Sequence, residues 1–221
     1  MNRTCVPTRN LEDWQLGLSD SDKHWKDGFS AKMTAQSWHQ ADGFPSSIQN
    51  VFAASGEPFA SLEPLLILPE HQVSLPPHHA RPSQNDVWIF ASHKSGSASI
   101  AVEGKKDESF GPTMGEWKSD SIGKTERFLF LTSLLQLPQD LDDKIRYQFL
   151  HRAASALLEA QRFHANMAVC LIQSFSEKAS GWDDFCDFAA LFGQSPQQNE
   201  VVSLGVFDNI PLSLAWITTR P

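Results

Sequence analysis

Two short apolar runs separated by a turn-forming segment constrain the fold more than any other part of this sequence. The runs are VWIFA at residues 87–91 and ASIAV at residues 98–102, and HKSGS at residues 93–97 lies between them. β-Branched and aromatic residues on both sides of a glycine-containing turn are typical of a β-hairpin. The sequence therefore predicts an antiparallel pair of strands over residues 87–102.

Ionisable residues cluster at the open end of this predicted hairpin. Asp86 precedes the first run, and Glu103 and Lys105 follow the second. In an antiparallel pair the numbers of opposite residues have a constant sum, and pairing Asp86 with Glu103 centres the turn between residues 94 and 95. Opposite side chains lie about 5 Å apart at Cβ, and residues two apart in a strand share a face. The three charged groups should therefore converge.

This convergence predicts a site for a divalent cation. Two carboxylates at such a separation repel each other, and hard oxygen ligands favour Mg²⁺ or Mn²⁺ over Zn²⁺. Asp86, Glu103 and the backbone carbonyl of Gly104 are the predicted metal ligands, and Lys105 would orient a water or stabilise charge on a phosphate. Asp86, Glu103 and Lys105 are thus candidate catalytic residues for phosphodiester hydrolysis. The same spacing also fits a cross-strand salt bridge with no chemical role.

The remaining periodicity predicts a mixed α/β fold, in which helices flank a mixed sheet. With 221 residues, the chain is of ordinary size for a single domain over residues 1–221. Helices are expected at residues 23–41, 46–54, 124–137, 141–164 and 182–192, and further strands at residues 62–68, 167–173, 201–207 and 212–218.

Composition limits the function classes. The net charge of −8 argues against a protein that coats nucleic acid through overall basicity, although a local basic site remains compatible with it. The three widely spaced cysteines contain no CxxC pair and fit a reducing compartment better than secretion. No apolar stretch is long enough for a membrane span, and the first residues show no secretory signal. We expect a cytoplasmic protein.

The charged hairpin resembles a known motif. Asp86 before a hydrophobic strand, followed by Ile-Ala-Val-Glu103-Gly104-Lys105 on the next, resembles the PD-(D/E)XK, or restriction-endonuclease-like, superfamily. The predicted element order over residues 23–175 also resembles its αβββαβ core, with residues 176–221 as a C-terminal extension containing a hairpin. The resemblance implies a Mg²⁺-dependent nuclease, most members of which cut DNA. Longer segments such as IAVEGKKDESFGPTMGEW resemble an uncharacterised bacterial domain family, which implies no activity.

Two features depart from the superfamily pattern. Pro82 precedes Asp86 by four positions, with Ser83-Gln84-Asn85 between them. Many relatives also place an acidic metal ligand on the first helix, but here that helix offers only Asp22 and Asp27, near its start. No ligand can be assigned there, so the number of metal ions and the activity itself stay open.

The predicted helix over residues 141–164 supplies candidates for substrate binding. From Lys144 to His164 there are four Lys or Arg residues and one acidic residue, which favours contact with a polyanion. Gln148 resembles a glutamine that some superfamily nucleases carry near the active site. The alternative is a solvated helix face. The predicted substrate-binding residues are Lys144, Gln148, His151 and Arg152.

Other polar residues are weaker candidates. Glu108 and Glu116 could supply a third carboxylate, although charged loops are usually only solvated. His78 and His79 lie between prolines without the spacing of a metal site.

The leading hypothesis is a metal-dependent DNA endonuclease that uses Mg²⁺ or Mn²⁺. The alternatives are a catalytically inactive nuclease-fold module that binds nucleic acid or a protein partner, and a structural domain. DNA is the expected partner, and no membrane association is expected. The sequence also allows a homodimer.

Overall fold

The computed structural model describes residues 8–18, 21–77 and 80–220. Short 3-10 helices cover Leu11–Gly17 and Phe59–Ser61. The α-helices are α1 (Ser21–His24), α2 (Ser30–His39), α3 (Ser46–Ala54), α4 (Met114–Trp117), α5 (Ile122–Leu134), α6 (Tyr147–Arg162) and α7 (Trp182–Ala190). The strands are β1 (Glu63–Val73), β2 (Ser83–His93), β3 (Gly96–Lys105), β4 (Met167–Ser174), β5 (Val201–Phe207) and β6 (Ile210–Thr218).

All six strands form one mixed sheet in the order β1-β2-β3-β4-β6-β5. The first three strands pair antiparallel, β4 runs parallel to β3 and β6 runs parallel to β4. The edge strand β5 is antiparallel to β6. The mixed α/β architecture is therefore confirmed, and the C-terminal hairpin extends the same sheet beyond β4.

Each face of the sheet has its own hydrophobic core. Val87, Ile89 and Ala91 of β2 pack with α2 and α3, whereas Trp88 lies on the opposite face. That opposite face is covered by α6, which packs across β3, β4 and β6 and buries ten of its residues. Helix α6 carries a continuous apolar stripe, and burying this stripe against the sheet is what stabilises the layer. Across the described ranges, no helix is long and apolar enough to span a membrane.

The structure corrects two predicted elements near the N-terminus. The single helix over residues 23–41 is two helices, because α1 ends at His24 and Gly28 adopts a left-handed φ of +81° before α2 begins. The strand expected at residues 62–68 continues through Pro69 to Val73. A proline is tolerated there because β1 is an edge strand, where a missing N–H costs no sheet hydrogen bond on the free side.

The predicted helix over residues 141–164 begins six residues later than expected. The backbone before Tyr147 is committed to other pairings: the Met114 N–H donates to the Ile145 carbonyl, and the Tyr147 N–H donates to the Pro112 carbonyl. The Asp142 carboxylate also accepts the Lys144 N–H at 3.0 Å, which is a turn-forming contact. Residues 141–146 therefore connect α5 to α6 without joining α6.

The close approach of α2 to β3 makes a prediction about Gly104. A Cβ at this position would lie 1.9 Å from Thr34 Oγ1 and 3.2 Å from Thr34 Cβ. We expect Gly104→Ala to lower the free energy of unfolding by about 1–3 kcal/mol, because α2 must shift to admit the methyl group. Urea denaturation followed by far-UV circular dichroism measures this loss.

Two further variants separate this clash from a general glycine effect. Adding Thr34→Ala to Gly104→Ala removes the hydroxyl and should recover part of the lost stability. Gly123→Ala in α5 should be neutral or slightly stabilising, since among the described residues its Cβ would meet only Pro77 Cγ, at 3.5 Å, and alanine favours helix. Equal stability of Gly104→Ala and the wild type would contradict the close approach.

Candidate active site

The register of β2 and β3 brings the predicted catalytic residues together. The pairs run from Val87 with Val102 to His93 with Gly96, as predicted, with the turn at residues 94–95. Continuing this register places Asp86 opposite Glu103. Both carboxylates and Lys105 line one cavity of about 250 Å³, which we call the acidic cavity.

Glu103 is buried and held by three donors. Arg152 Nε lies 2.5 Å from its Oε2, while Gln148 Nε2 at 2.7 Å and Lys105 Nζ at 3.0 Å contact its Oε1. Burial by itself would raise the pKa of Glu103, but the charges of Arg152 and Lys105 outweigh burial and hold it below the usual value. Glu103 is therefore an ionised carboxylate fixed in one orientation.

Asp86 lies in the same cavity with much less compensation. Its Oδ2 accepts the Gly104 N–H at 2.7 Å. Burial, followed by the negative charges of Glu103 and Glu70, raises the pKa of Asp86 well above its ordinary value. Within the part of the chain that the structure describes, Asp86 forms no ion pair. The charges of Arg152 and Lys105 therefore offset the raised pKa of Asp86 only in part.

A third carboxylate in the cavity, Glu70 of β1, was missed by sequence reasoning. Pro69 pairs with Val87 and His71 with Asn85, so Glu70 comes opposite Asp86. Burial, together with the charge of Glu103, raises the pKa of Glu70 to about 7, although a 2.6 Å hydrogen bond from Gln84 Nε2 opposes this. Had the predicted strand been extended through Pro69, its register would have placed Glu70 here.

Backbone strain also marks Glu70. Its φ is +53°, in the left-handed region that residues with a Cβ rarely adopt. Such a conformation costs on the order of 1–2 kcal/mol and persists only where surrounding packing enforces it. Gly17 packs closely against Glu70: a Cβ atom added to Gly17 would lie 2.4 Å from Glu70 Cβ. Strain and an uncompensated carboxyl group at one position are typical of a functional residue.

The structure separates the other two acidic candidates. Glu108 lines the acidic cavity, and its Oε2 accepts the N–H groups of Lys106 and Asp107. Glu116 instead caps α4, where it accepts the Thr113 N–H at 2.8 Å. His78 and His79 lie outside the described residues.

Three of the four predicted substrate-binding residues line a second, larger cavity of about 940 Å³, which we call the cationic groove. Gln148, His151 and Arg152 lie on the first turns of α6 and face this groove. Lys144 does not line it: it precedes α6, and its Nζ binds Asp187 at 2.9 Å. Arg81, Lys105 and Arg152 line both cavities, so the groove opens onto the acidic cavity.

Hydrogen bonding fixes the protonation of His151. Its Nδ1 lies 2.8 Å from Ser83 Oγ and 3.3 Å from Arg152 Nη1. Because the guanidinium can only donate, Nδ1 serves as an acceptor, and the ring proton belongs on Nε2. Burial and then the charge of Arg152 lower the pKa of His151 well below its usual value. His151 is therefore neutral and offers one N–H donor.

The three carboxylates of Glu103, Asp86 and Glu70 differ in how many lone pairs they have free for a metal ion. A carboxylate has about four lone-pair sites; Glu103 uses three of them, whereas Asp86 and Glu70 each accept one hydrogen bond from the described residues. Among the described residues, no group of three or more His, Cys, Asp or Glu side chains is arranged to hold a metal ion. The donor set fits a weakly held hard cation at Asp86, completed by backbone oxygen, water or a substrate phosphate.

One family model matches nearly the whole chain. This protein belongs to DUF6946, a domain family of unknown function. The match covers residues 7–221, which include the sheet and both cavities. Searches of curated proteins and of solved structures find no match.

The raised pKa of Glu70 predicts a stability change with pH. When the pKa of a carboxyl group is higher in the folded protein than in the unfolded chain, the protein loses stability as pH rises from the unfolded pKa to the folded pKa. For Glu70 the folded pKa is about 7. We expect Glu70→Gln to increase the free energy of unfolding at pH 7.5 by on the order of 2 kcal/mol, and to have no effect near pH 4. Urea denaturation at both pH values measures the difference.

Glu126→Gln, on the exposed side of α5, is the matched control and should change stability by less than about 0.5 kcal/mol at either pH. A Glu70→Gln protein that is less stable than the wild type at pH 7.5 would show that the glutamate is compensated in solution.

Proposed function

We propose that this protein is a metal-dependent phosphodiester hydrolase that acts on DNA. The observation that carries the proposal is the convergence of Asp86, Glu103 and Lys105 at one end of the β2–β3 hairpin, in a cavity that opens onto a cationic groove. Anion-binding and metal-binding chemistry thereby meet at one point. A phosphodiester in the groove would lie within reach of the carboxylates.

The topology supports the same proposal. Helix α2 precedes the antiparallel strands β1, β2 and β3, and α6 then leads to β4, which is parallel to β3. This αβββαβ order resembles a restriction-endonuclease-like core. The charged residues also lie on the second and third strands, where the motif would place them.

Each residue has a role that its contacts support. A bound Mg²⁺ or Mn²⁺ would polarise the phosphate and lower the pKa of a water molecule. Asp86, Glu103 and the Gly104 carbonyl would hold the ion. Lys105, which lies between Glu103 and the Phe110 ring at 5.1 Å from the ring centroid, would orient the water and stabilise phosphate charge. Arg152 and Gln148 keep Glu103 in position.

A catalytically inactive binding module is the second candidate. The observation that favours it is the engagement of Glu103 by Lys105, Arg152 and Gln148, which neutralises the carboxylate without a metal ion. Such a module would keep the cationic groove and lose hydrolysis. The two candidates differ in whether a divalent cation binds and whether the phosphodiester bond breaks.

Cation binding is the first test. Isothermal titration of the protein with Mn²⁺ should show weak binding, because two carboxylates and a carbonyl leave several positions to water. Asp86→Asn keeps the size of the side chain and removes its charge, so its binding heat should disappear. Asp107→Asn, whose side chain binds Ser176 and Ser180 outside the cavity, is the control and should bind like the wild type. Equal heats for Asp86→Asn and the wild type would place the cation elsewhere.

Cleavage is the second test, with end-labelled DNA in Mg²⁺ or Mn²⁺. Lys105→Met removes the ammonium group and keeps most of the side-chain volume, so we expect cleavage to fall by roughly 100-fold or more while DNA binding largely survives. Lys106→Met changes the neighbouring lysine, which does not line either cavity, and should cut at nearly the wild-type rate.

Two results would contradict the enzymatic proposal. Wild-type protein that binds DNA without cutting it in either cation would favour the binding module. Wild-type rates for Lys105→Met would refute the role of Lys105, whatever the fold.

A further inference from the structure

We infer that the cationic groove binds single-stranded nucleic acid in preference to duplex. This inference rests on the proposed function, because it names the form of substrate that the same site would accept. The charge of the groove, its aromatic wall and its size support it.

The groove concentrates positive charge in an acidic protein. Although the chain has a net charge of −8, none of the described residues that line the groove is Asp or Glu. Its lining includes five cationic side chains: Arg81, Lys105, Lys124, Arg127 and Arg152. Local positive potential of this kind attracts a phosphate backbone even where the net charge repels it.

One wall of the groove is a row of rings. Trp117 and Tyr147 stack with centroids 4.0 Å apart and planes at 11°, and His151 follows at 4.8 Å from Tyr147. Lys124 Nζ lies 5.4 Å from the centroid of the Trp117 ring. Because Tyr147 covers one face of Trp117, a base would stack on the other face, which Lys124 approaches. Aromatic rings beside cations in a positive groove are typical of sites that bind unpaired bases and their phosphates together. Paired bases inside a duplex keep their faces stacked on one another, so they cannot stack on this face of Trp117.

The opposite wall is held in place by Arg127. Its guanidinium donates to the carbonyls of Leu75, Pro76 and Arg81, at 3.1, 2.9 and 2.7 Å. These bonds fix the ends of the proline-rich connector against α5. The groove between the two walls measures about 940 Å³, which is at the upper end of the range for pockets that enclose a single small ligand. A short stretch of one strand fits a volume of this size.

The cationic groove is continuous with the acidic cavity. Arg81, Lys105 and Arg152 border both cavities. A strand lying along the rings would therefore continue towards Asp86, and bring one phosphodiester to the carboxylates. The substrate we infer is a single strand, or an unpaired end or flap of a duplex.

The experiment measures binding without hydrolysis. Fluorescence anisotropy in EDTA compares a labelled 12-nucleotide single strand with the blunt duplex of the same sequence. We expect the single strand to bind at least about tenfold more tightly, since stacking contributes only for unpaired bases. A parallel RNA strand of the same sequence distinguishes which sugar is preferred, and tight binding of either strand supports the inference.

Three variants test the walls. Trp117→Leu should weaken single-strand binding by roughly 5- to 100-fold, whereas Trp182→Leu, at α7 outside the groove, should not. Arg81→Gln should reduce the dependence of log Kd on log salt concentration by about 0.7, the value for one phosphate contact on a single strand. Arg162→Gln, at the exposed end of α6, should leave that slope unchanged. Thermal melting checks that each variant is folded. If Trp117→Leu does not fold, the result for Arg81→Gln decides whether the groove binds the strand.

The outcomes separate this inference from the proposed hydrolase. Duplex binding as tight as single-strand binding, or no binding of either at low salt, would overturn the inference. Single-strand preference without cleavage in Mg²⁺ or Mn²⁺ would support the inference and refute the hydrolase. Duplex preference with Mg²⁺-dependent cleavage would support the hydrolase and refute the inference.

Discussion

The burial of the Glu103 carboxylate is the constraint on which the site depends. A charge removed from water must be compensated, and here the compensation comes from β3 itself through Lys105 and from α6 through Arg152 and Gln148. These contacts join the end of the β2–β3 hairpin to the helix that covers the sheet. The orientation of α6 and the geometry of the acidic cavity are therefore fixed together.

Glu103 differs from its neighbours Asp86 and Glu70 in how far nearby cations compensate its charge. Glu103 has two cationic partners, whereas Asp86 and Glu70 are half-buried carboxyl groups whose pKa values burial raises. Among the described residues, four carboxylates and three cations line the acidic cavity, which leaves an excess of negative charge when all are ionised. This excess of negative charge lowers the free energy of unfolding, and a bound ligand that supplies positive charge would raise it again.

Charge segregation reconciles the acidic composition with the proposed substrate. The cationic groove gathers lysine and arginine around the first turns of α6, while many acidic residues lie elsewhere on the surface, as at Asp183, Asp184 and Asp187 of α7. Lys144 illustrates the sorting, because its ion pair with Asp187 keeps it out of the groove. A net charge describes long-range behaviour, and the local arrangement decides what binds in a cleft.

The sequence by itself determined the β2–β3 register, the shared face of Asp86, Glu103 and Lys105, and the mixed α/β class. All three follow from short-range periodicity, because a hairpin turn sets the pairing of the residues around it. Only the tertiary structure decided that Glu70 joins the cavity and that Arg152 binds Glu103. Glu70 lies opposite Asp86, 16 positions away, and Arg152 binds Glu103 across 49 positions, so both contacts depend on how β1 pairs beyond Pro69 and how α6 packs across the sheet. No local pattern encodes such packing, since it arises when the two hydrophobic faces of the sheet are buried.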